Sequence, residues 1–430
     1  MLAHAARLVR DSGQFADYGL VGGQPEVDFS KALERARTLV EEVHEKKRLM
    51  ERLEEAGVLV SEGIGAARFA GEHSLALGDG RRLEAEKFVL CAGGRACRLD
   101  LPGGELALTH SDVWTMGELP RSVAVIGAAA TGCQLASVFA AFGSRVSLLE
   151  VAPRILAGED EAVSAGVAEA FERRRIELVS GMGGIVRIEE IPYGRRLVHS
   201  RGGERRALGV ETVVFAVGCP GNADDLNLAA VGVEIGGRIC AGGRYSEDHL
   251  AAGDFTGRMM LVQSATPEAE IAAENAVLGG RRALRHAVVP HGGFADPEYG
   301  SVGPTEVEAR REQDGTVAVV PYADLDRGSI DGHRVGSCKL IVSRATQCVL
   351  GAHIVGEQAV EVVQIAATAM RAAMRVEKLA DLELAYPTFT AVVGLAARRI
   401  SRTLGLVPLA STEGGGSERL RAAEWALRSG

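Results

Sequence analysis

Three residues in one short stretch have the types and spacing to hold a dinucleotide. In VAVIGAAATGCQLASVFAAFGSRVSLLE (Val123–Glu150), Gly127 ends a short apolar run and Gly132 follows within the next turn. Glu150 closes a second apolar run. The order reads as strand, glycine turn, helix and strand with an acidic end, the arrangement that seats a pyrophosphate and a ribose. Gly127 allows a tight turn, and Gly132 lets the helix approach the sheet. The helix N-terminus offers free N–H groups and partial positive charge to phosphate. An acid at the second strand end accepts hydrogen bonds from a ribose 2′-hydroxyl and repels a 2′-phosphate, so NAD is expected over NADP. The middle glycine of the usual pattern is replaced by Ala129, which puts a methyl group where backbone must approach phosphate. The bland alternative is an ordinary βαβ crossover. A second candidate is Asp254 in HLAAGDFTG (His249–Gly257). An aspartate at a strand end after Ala-Gly can receive hydroxyl hydrogen bonds from a ligand, or it can simply cap a turn.

These residues must be positioned by a large α/β scaffold. The chain has 430 residues, 47% hydrophobic and 24% charged, enough for two to four domains with real cores. A net charge of −9 argues against a nucleic-acid partner. No apolar run reaches the length of a membrane span, and the N-terminus carries charge too early for a secretory signal. Seven cysteines without a CxxC point to reduced thiols in a cytoplasm. No histidine has metal-ligand spacing, so no metal site is expected. Lys31–Ala56 reads as one long amphipathic helix stopped by Gly57, with VLV (58–60) starting a strand. Asp79-Gly80 marks a hairpin. Helices are expected over Glu161–Arg175 and Pro267–Leu278, and strands at Lys339–Val342 and Val349–Gly356, followed by an Ala-rich helix to about Met374. The last residues, from Ser411, read as a glycine linker and a short helix.

Several separated segments carry a resemblance to a known family. FVLCAGGRA (Phe88–Ala96), VVFAVGCPGN (Val213–Asn222), HLAAGDFTGRMML (His249–Leu261), FADPEYGSVGPTEVEAR (Phe294–Arg310) and AYPTFT (Ala385–Thr390) resemble, in order and spacing, segments of the pyridine nucleotide–disulfide oxidoreductases. These flavoproteins include dihydrolipoamide dehydrogenase and mercuric reductase. The resemblance implies two Rossmann-like nucleotide domains and an α+β dimerisation domain. It implies FAD and NAD as cofactors and a homodimer. By resemblance, Asp254 holds the flavin ribityl hydroxyls, and Met260, Leu261, Ala67 and Gly94 border the same cofactor. Gly218 lines the nicotinamide nucleotide with Gly127, Ala128, Gly132 and Glu150, and Gln134 stands where relatives often carry a glutamate near the nicotinamide. The implied divisions are 1–118 (first part of a flavin domain), 119–240 (NAD domain), 241–285 (flavin domain resumed), 286–408 (dimerisation domain) and 409–430 (tail).

The chain also departs from that family. No strand–GxGxxG–helix unit for flavin occurs at its start, and no CxxxxC redox pair follows. The chain is expected to begin just after those pieces. Cys91 and Cys97 have the wrong spacing, and Cys91 is expected in a buried strand. The family's HPTxxE base motif reads Tyr386-Pro387-Thr388-Phe389-Thr390-Ala391 here. A tyrosine, with a pKa near 10, is a poor base at neutral pH but can donate a hydrogen bond. It can also be a packed residue at a helix start. Gln263 replaces a histidine of lipoamide-type enzymes, and no cysteine follows Cys348 to deliver a metal ion. The expected function is hydride transfer from NADH to flavin with an unnamed acceptor. The alternatives are a non-catalytic NAD-binding dimer and an NADH oxidase or transhydrogenase that needs no disulfide.

Overall fold

The computed structural model describes residues 1–232, 249–280, 282–284 and 286–406. The expected restart of the flavin domain at 241, Cys240 and the tail from 409 lie outside the described residues. The chain opens with three helices: α1 (Leu2–Ser12), α2 (Phe29–Lys47) and α3 (Leu49–Glu55). The expected single helix over 31–56 is therefore two. Arg48 adopts a left-handed conformation (φ 45°), and its N–H bonds back to the Glu45 carbonyl. Leu33 and Ala36 are buried, whereas Val40, Val43 and Met50 are exposed, so no packing holds the two pieces in line. Val58–Val60 forms no strand. All three side chains are exposed, Leu59 almost fully, and without a buried face a strand there has nothing to bury.

A small antiparallel sheet follows: β1 (Arg68–Gly71), β2 (Ser74–Ala76) and β3 (Arg82–Glu84). The hairpin between the last two turns at Asp79-Gly80, where the Asp79 carboxylate accepts the Arg81 N–H and Gly80 takes φ 89°. β4 (Phe88–Leu90) precedes β5 (Leu108–Thr109) and the central unit: β6 (Ser122–Ile126), α4 (Ala130–Ala141), β7 (Arg145–Leu149), α5 (Glu161–Arg173) and β8 (Glu177–Val179). An antiparallel meander, β9 (Gly184–Ile191), β10 (Gly194–Arg201) and β11 (Glu204–Val210), leads to β12 (Thr212–Phe215). β5, β12, β6, β7 and β8 form one sheet in that spatial order, with every pairing parallel. β6, the innermost strand of the βαβ run, is fully buried along its length, as a strand covered on both faces must be.

β13 (His249–Ala251) pairs in parallel with β4, and α6 (Val262–Leu278) packs against both. Phe69, Phe88, Leu90, Ala251 and Phe255 share a core there. The last domain is an antiparallel sheet of β14 (His291–Gly293), β15 (Tyr299–Val302), β16 (Gly315–Pro321), β17 (Ser337–Ser343) and β18 (Val349–Val355) in the order β14-β15-β18-β17-β16. Its helices are α7 (Glu306–Gln313), α8 (Asp326–Ile330), α9 (Ala359–Arg371), α10 (Val376–Ala380) and α11 (Ala391–Thr403). α9 and α11 lay alanine- and valine-rich faces on the sheet, where small side chains allow close approach. α1, α2, the central sheet and Tyr299 and Val355 of the last domain share one core, which joins the units. No described helix is long and apolar enough to cross a membrane.

Candidate functional site

The central sheet reverses its winding between β6 and β12. The chain winds outward from β6 through β7 to β8, then returns to the other side of β6. In such sheets the crevice outside the carboxyl ends at the reversal is where ligands sit. Gly127 follows β6 and Gly218 follows β12, so the structure brings both to that point. Gly127 has φ 96°, and a Cβ built on it would stand 2.5 Å from the Ala216 carbonyl oxygen. A Cβ on Gly132 would stand 1.8 Å from the Gly127 carbonyl oxygen. Both glycines are therefore steric requirements of the turn. Gly218, at φ 112°, is exposed and has open space beside it.

Ala129 is the N-cap of α4 at φ −79°, is exposed, and no side chain caps the helix. Its methyl therefore meets no backbone obstacle, and the first helical N–H groups, which have no partner within a helix, stay available to an anion. Ala128 differs. It is fully buried, and its N–H donates to Glu150 Oε2 at 2.7 Å. Glu150 Oε1 accepts the Ala152 N–H at 2.9 Å. Ala128 thus shapes the turn rather than presenting an amide, while each Glu150 oxygen keeps a second lone pair for a hydroxyl donor. Gln134 lies half-buried on α4.

Gly94 and Asp254 follow the carboxyl ends of the neighbouring parallel strands β4 and β13. Gly94 bridges to Gly221, and a Cβ on it would lie 3.2 Å from Met260 Cε. The segments 93–97 and 218–222 thereby pair at the junction of the two nucleotide-domain regions, through Cys97 N–H to Gly218 O and Arg95 N–H to Pro220 O at 3.0 Å each. Asp254 is exposed in the short turn Gly253–Thr256, whose N-cap residue Ala252 has no side chain to cap it. Met260 and Leu261 are half-buried just before α6. Ala67 stands half-buried at the start of β1, two residues before Phe69 of the same small core.

A buried pair that the sequence reading did not single out supports the Asp254 turn. Glu268 on α6 accepts the Gly253 N–H at 2.8 Å and meets His286 Nε2 at 2.7 Å, with only 6% of Glu268 exposed. In the sequence it is one of three glutamates on α6, with nothing local to mark it as the buried one. Glu268→Ala leaves a buried N–H and an imidazole unpaired. It is expected to lower stability by about 1–3 kcal/mol in urea unfolding. Near-identical midpoints would show that the pair bears no part of the turn.

Cys91 is exposed, one residue past β4, contrary to the expected burial; the strand ends at Leu90, whose carbonyl takes the Ala252 N–H. Tyr386 is 59% exposed, so the packed-residue alternative does not hold. Its hydroxyl donates to Asp326 Oδ2 at 2.6 Å, and that hydrogen bond raises its proton affinity further, which makes it a donor rather than a base. Gln263 donates to the Pro290 carbonyl.

A parallel sheet with a glycine turn at its switch point, joined to an antiparallel domain, defines a class: dinucleotide-binding proteins. Comparison with known proteins narrows the class. Residues 16–269 match the family model "Pyridine nucleotide-disulphide oxidoreductase", and residues 289–397 match that family's dimerisation domain. The chain is 28% identical over 404 residues to a mercuric reductase of Lysinibacillus sphaericus, covering 92% of this chain and 73% of that one. It is 30% identical over 400 residues to a dihydrolipoyl dehydrogenase of Chlorobaculum tepidum, covering 90% and 84%. Among solved structures, the HOCl-induced flavoprotein disulfide reductase RclA from Escherichia coli superposes with a TM-score of 0.78 at 23% identity, over 93% of this chain and 89% of that one. The chain belongs to the pyridine nucleotide–disulphide oxidoreductase family, whose members are oxidoreductases that use FAD and NAD(P)H.

Proposed function

We propose that this chain is an NADH-dependent flavoprotein oxidoreductase that works as a homodimer in the cytoplasm. The switch-point crevice carries the reading: Gly127, Gly132 and the uncapped α4 N-terminus would hold the dinucleotide pyrophosphate, Glu150 the ribose hydroxyls, and Gly218 the opposite wall. Asp254 would hold the flavin sugar chain, with Gly94, Ala67, Met260 and Leu261 beside it. When bound, FAD supplies the acceptor for the nicotinamide's hydride, and the protein's part is to orient the two rings and exclude water. The Glu150 carboxylate disfavours a 2′-phosphate, so NADH is the donor. Dimer contact through β14–β18 and their helices is the reading favoured by the matched dimerisation domain.

The test is direct. The purified chain should carry the yellow flavin absorption, and anaerobic NADH should bleach it faster than NADPH. Asp254→Ala should lose most of the bound flavin while keeping its fold by circular dichroism. A colourless wild-type protein would reject the flavin assignment. Supplying oxygen, a second nucleotide or a small disulfide then identifies the acceptor by NADH consumption.

A further inference from the structure

Ala128, in the nucleotide turn, is gripped from both sides. Its N–H goes to Glu150, and its carbonyl accepts the Leu156 N–H at 2.8 Å. Leu156 belongs to the strap that runs from Glu150 to Asp160, and it sits at φ 48°, a conformation costly for a branched side chain unless its surroundings enforce it. Arg154 enforces it, donating to the carbonyls of Leu156 (3.1 Å), Ala157 (3.0 Å) and Glu159 (2.8 Å). The far end of the strap is fastened to the interface domain. Glu159 Oε2 accepts the Ser301 hydroxyl at 2.7 Å, and Glu159 Oε1 lies 3.2 Å from His291 Nε2.

The strand register explains this fastening. His291 stands opposite Ser301, Ser301 opposite His353, and His353 opposite Lys339. These four polar residues form one cross-strand row, and the row meets Glu159 and Asp160. Lys339 is tied to Asp160 and Glu306, His353 Nε2 faces the Pro304 carbonyl at 2.9 Å, and buried Tyr299 adjoins the pair on β15. We infer that Glu159 and His291 form a proton-sensitive latch by which the interface domain positions the nucleotide turn through the 150–160 strap. Nucleotide affinity is then set in part by whether His291 carries its second proton.

The sign follows from the surroundings. The Glu159 hydrogen bond holds the second proton on His291 more tightly than on a free imidazole, against the opposing effect of burial. Burial pushes His353 the other way, so it stays neutral. Burial also opposes the Glu159 charge, but the hydrogen bonds from His291 and Ser301 outweigh it and keep the carboxylate ionised. The latch is therefore closed below about pH 6.5, the ordinary histidine value, and opens as pH rises through the raised value. Glu159 and His291 act through the strap as positioning residues.

The inference rests on the nucleotide-site reading above, and its test separates the two. On the full chain, hydrogen exchange of peptides covering 127–133 and 151–160 is followed at about pH 6 and about pH 8.5 without nucleotide. Wild type should lose protection at the higher pH beyond the intrinsic exchange rate, while His291→Gln should show the looser pattern at both. NADH affinity should weaken about fivefold across the same interval in wild type, the low end of ordinary coupling between sites, and stay flat in His291→Gln. Ser301→Ala, which keeps the ion pair, should retain the pH dependence. Equal pH dependence in wild type and His291→Gln would overturn the latch. A chain that never binds NADH would overturn the nucleotide-site reading instead, while the exchange measurement still decides the latch.

Discussion

Gly132→Ala is expected to abolish NADH binding and to lower stability by about 3 kcal/mol, the upper end of the ordinary cost of overpacking. A methyl there would stand 1.8 Å from the Gly127 carbonyl oxygen, which belongs to backbone and cannot swing away as a side chain end would. Either α4 moves off the sheet or the Gly127 turn opens, and the turn is held by the Gly127 N–H to the Leu149 carbonyl at 2.8 Å and by the Ala216 N–H to the Ile126 carbonyl at 2.7 Å. Both movements displace the α4 N-terminus from its place at the strand ends. Ala129→Gly is the matched control. That position has negative φ and is exposed, so removing its methyl relieves nothing and should change affinity severalfold at most. The measurements are NADH titration and urea unfolding. Wild-type affinity in Gly132→Ala would rule out the steric account.

Lys339→Met is expected to cost about 3–5 kcal/mol, because it strips a buried ion pair of one partner. Lys339 Nζ lies 2.7 Å from both Asp160 Oδ1 and Glu306 Oε2, with 8% of the lysine side chain and 2% of the aspartate exposed. Asp160 also caps α5 through the Ala162 N–H and accepts the Glu306 N–H, so its charge cannot be moved to water without undoing the junction of α5 with the interface domain. Burial alone would raise the Asp160 carboxyl, but the Glu306 N–H, Lys339 and the Ala162 N–H hold it below the usual carboxylate range. Its contribution is therefore present above about pH 4 and lost as pH falls through the lowered value. Burial disfavours the Lys339 charge, yet Asp160 and Glu306 hold its proton more tightly than usual, so its contribution lasts up to about pH 10.4 and fades as pH rises through the raised value. Removing Lys339 should shift acid unfolding to higher pH. A variant within about 1 kcal/mol of wild type, with an unchanged acid limb, would show that the pair is as weak as a surface one.

The two predictions mark different depths of legibility. The Gly132 requirement is readable in the chain, because a glycine at that offset after an apolar run has one steric meaning wherever the βαβ unit forms. The Lys339–Asp160 pair is not, because its members are 179 residues apart in sequence and only the sheet register and the packing of α5 bring them together. Glu268 was equally hidden: one of three glutamates on an alanine-rich helix reads as solvated until its face is known. Where expectation failed, local pattern had been extended beyond what packing supports. The 31–56 helix broke at Arg48 because its outer stripe meets nothing, and Val58–Val60 had apolar character but no sheet to join.

By itself the sequence determined the local chemistry: the Gly127–Gly132 turn, the acid at Glu150, the strand-end Asp254, the Asp79-Gly80 hairpin and the α/β class. Each depends on conformations and periodicities set by a few neighbouring residues. Only the tertiary structure decided how those pieces are held. It showed Ala128 locked between Glu150 and Leu156, Tyr386 donating to Asp326, and the His291–Ser301–His353–Lys339 row meeting Glu159 and Asp160. These contacts depend on strand register and domain packing, which arise from the whole chain and leave no local trace in its spacing.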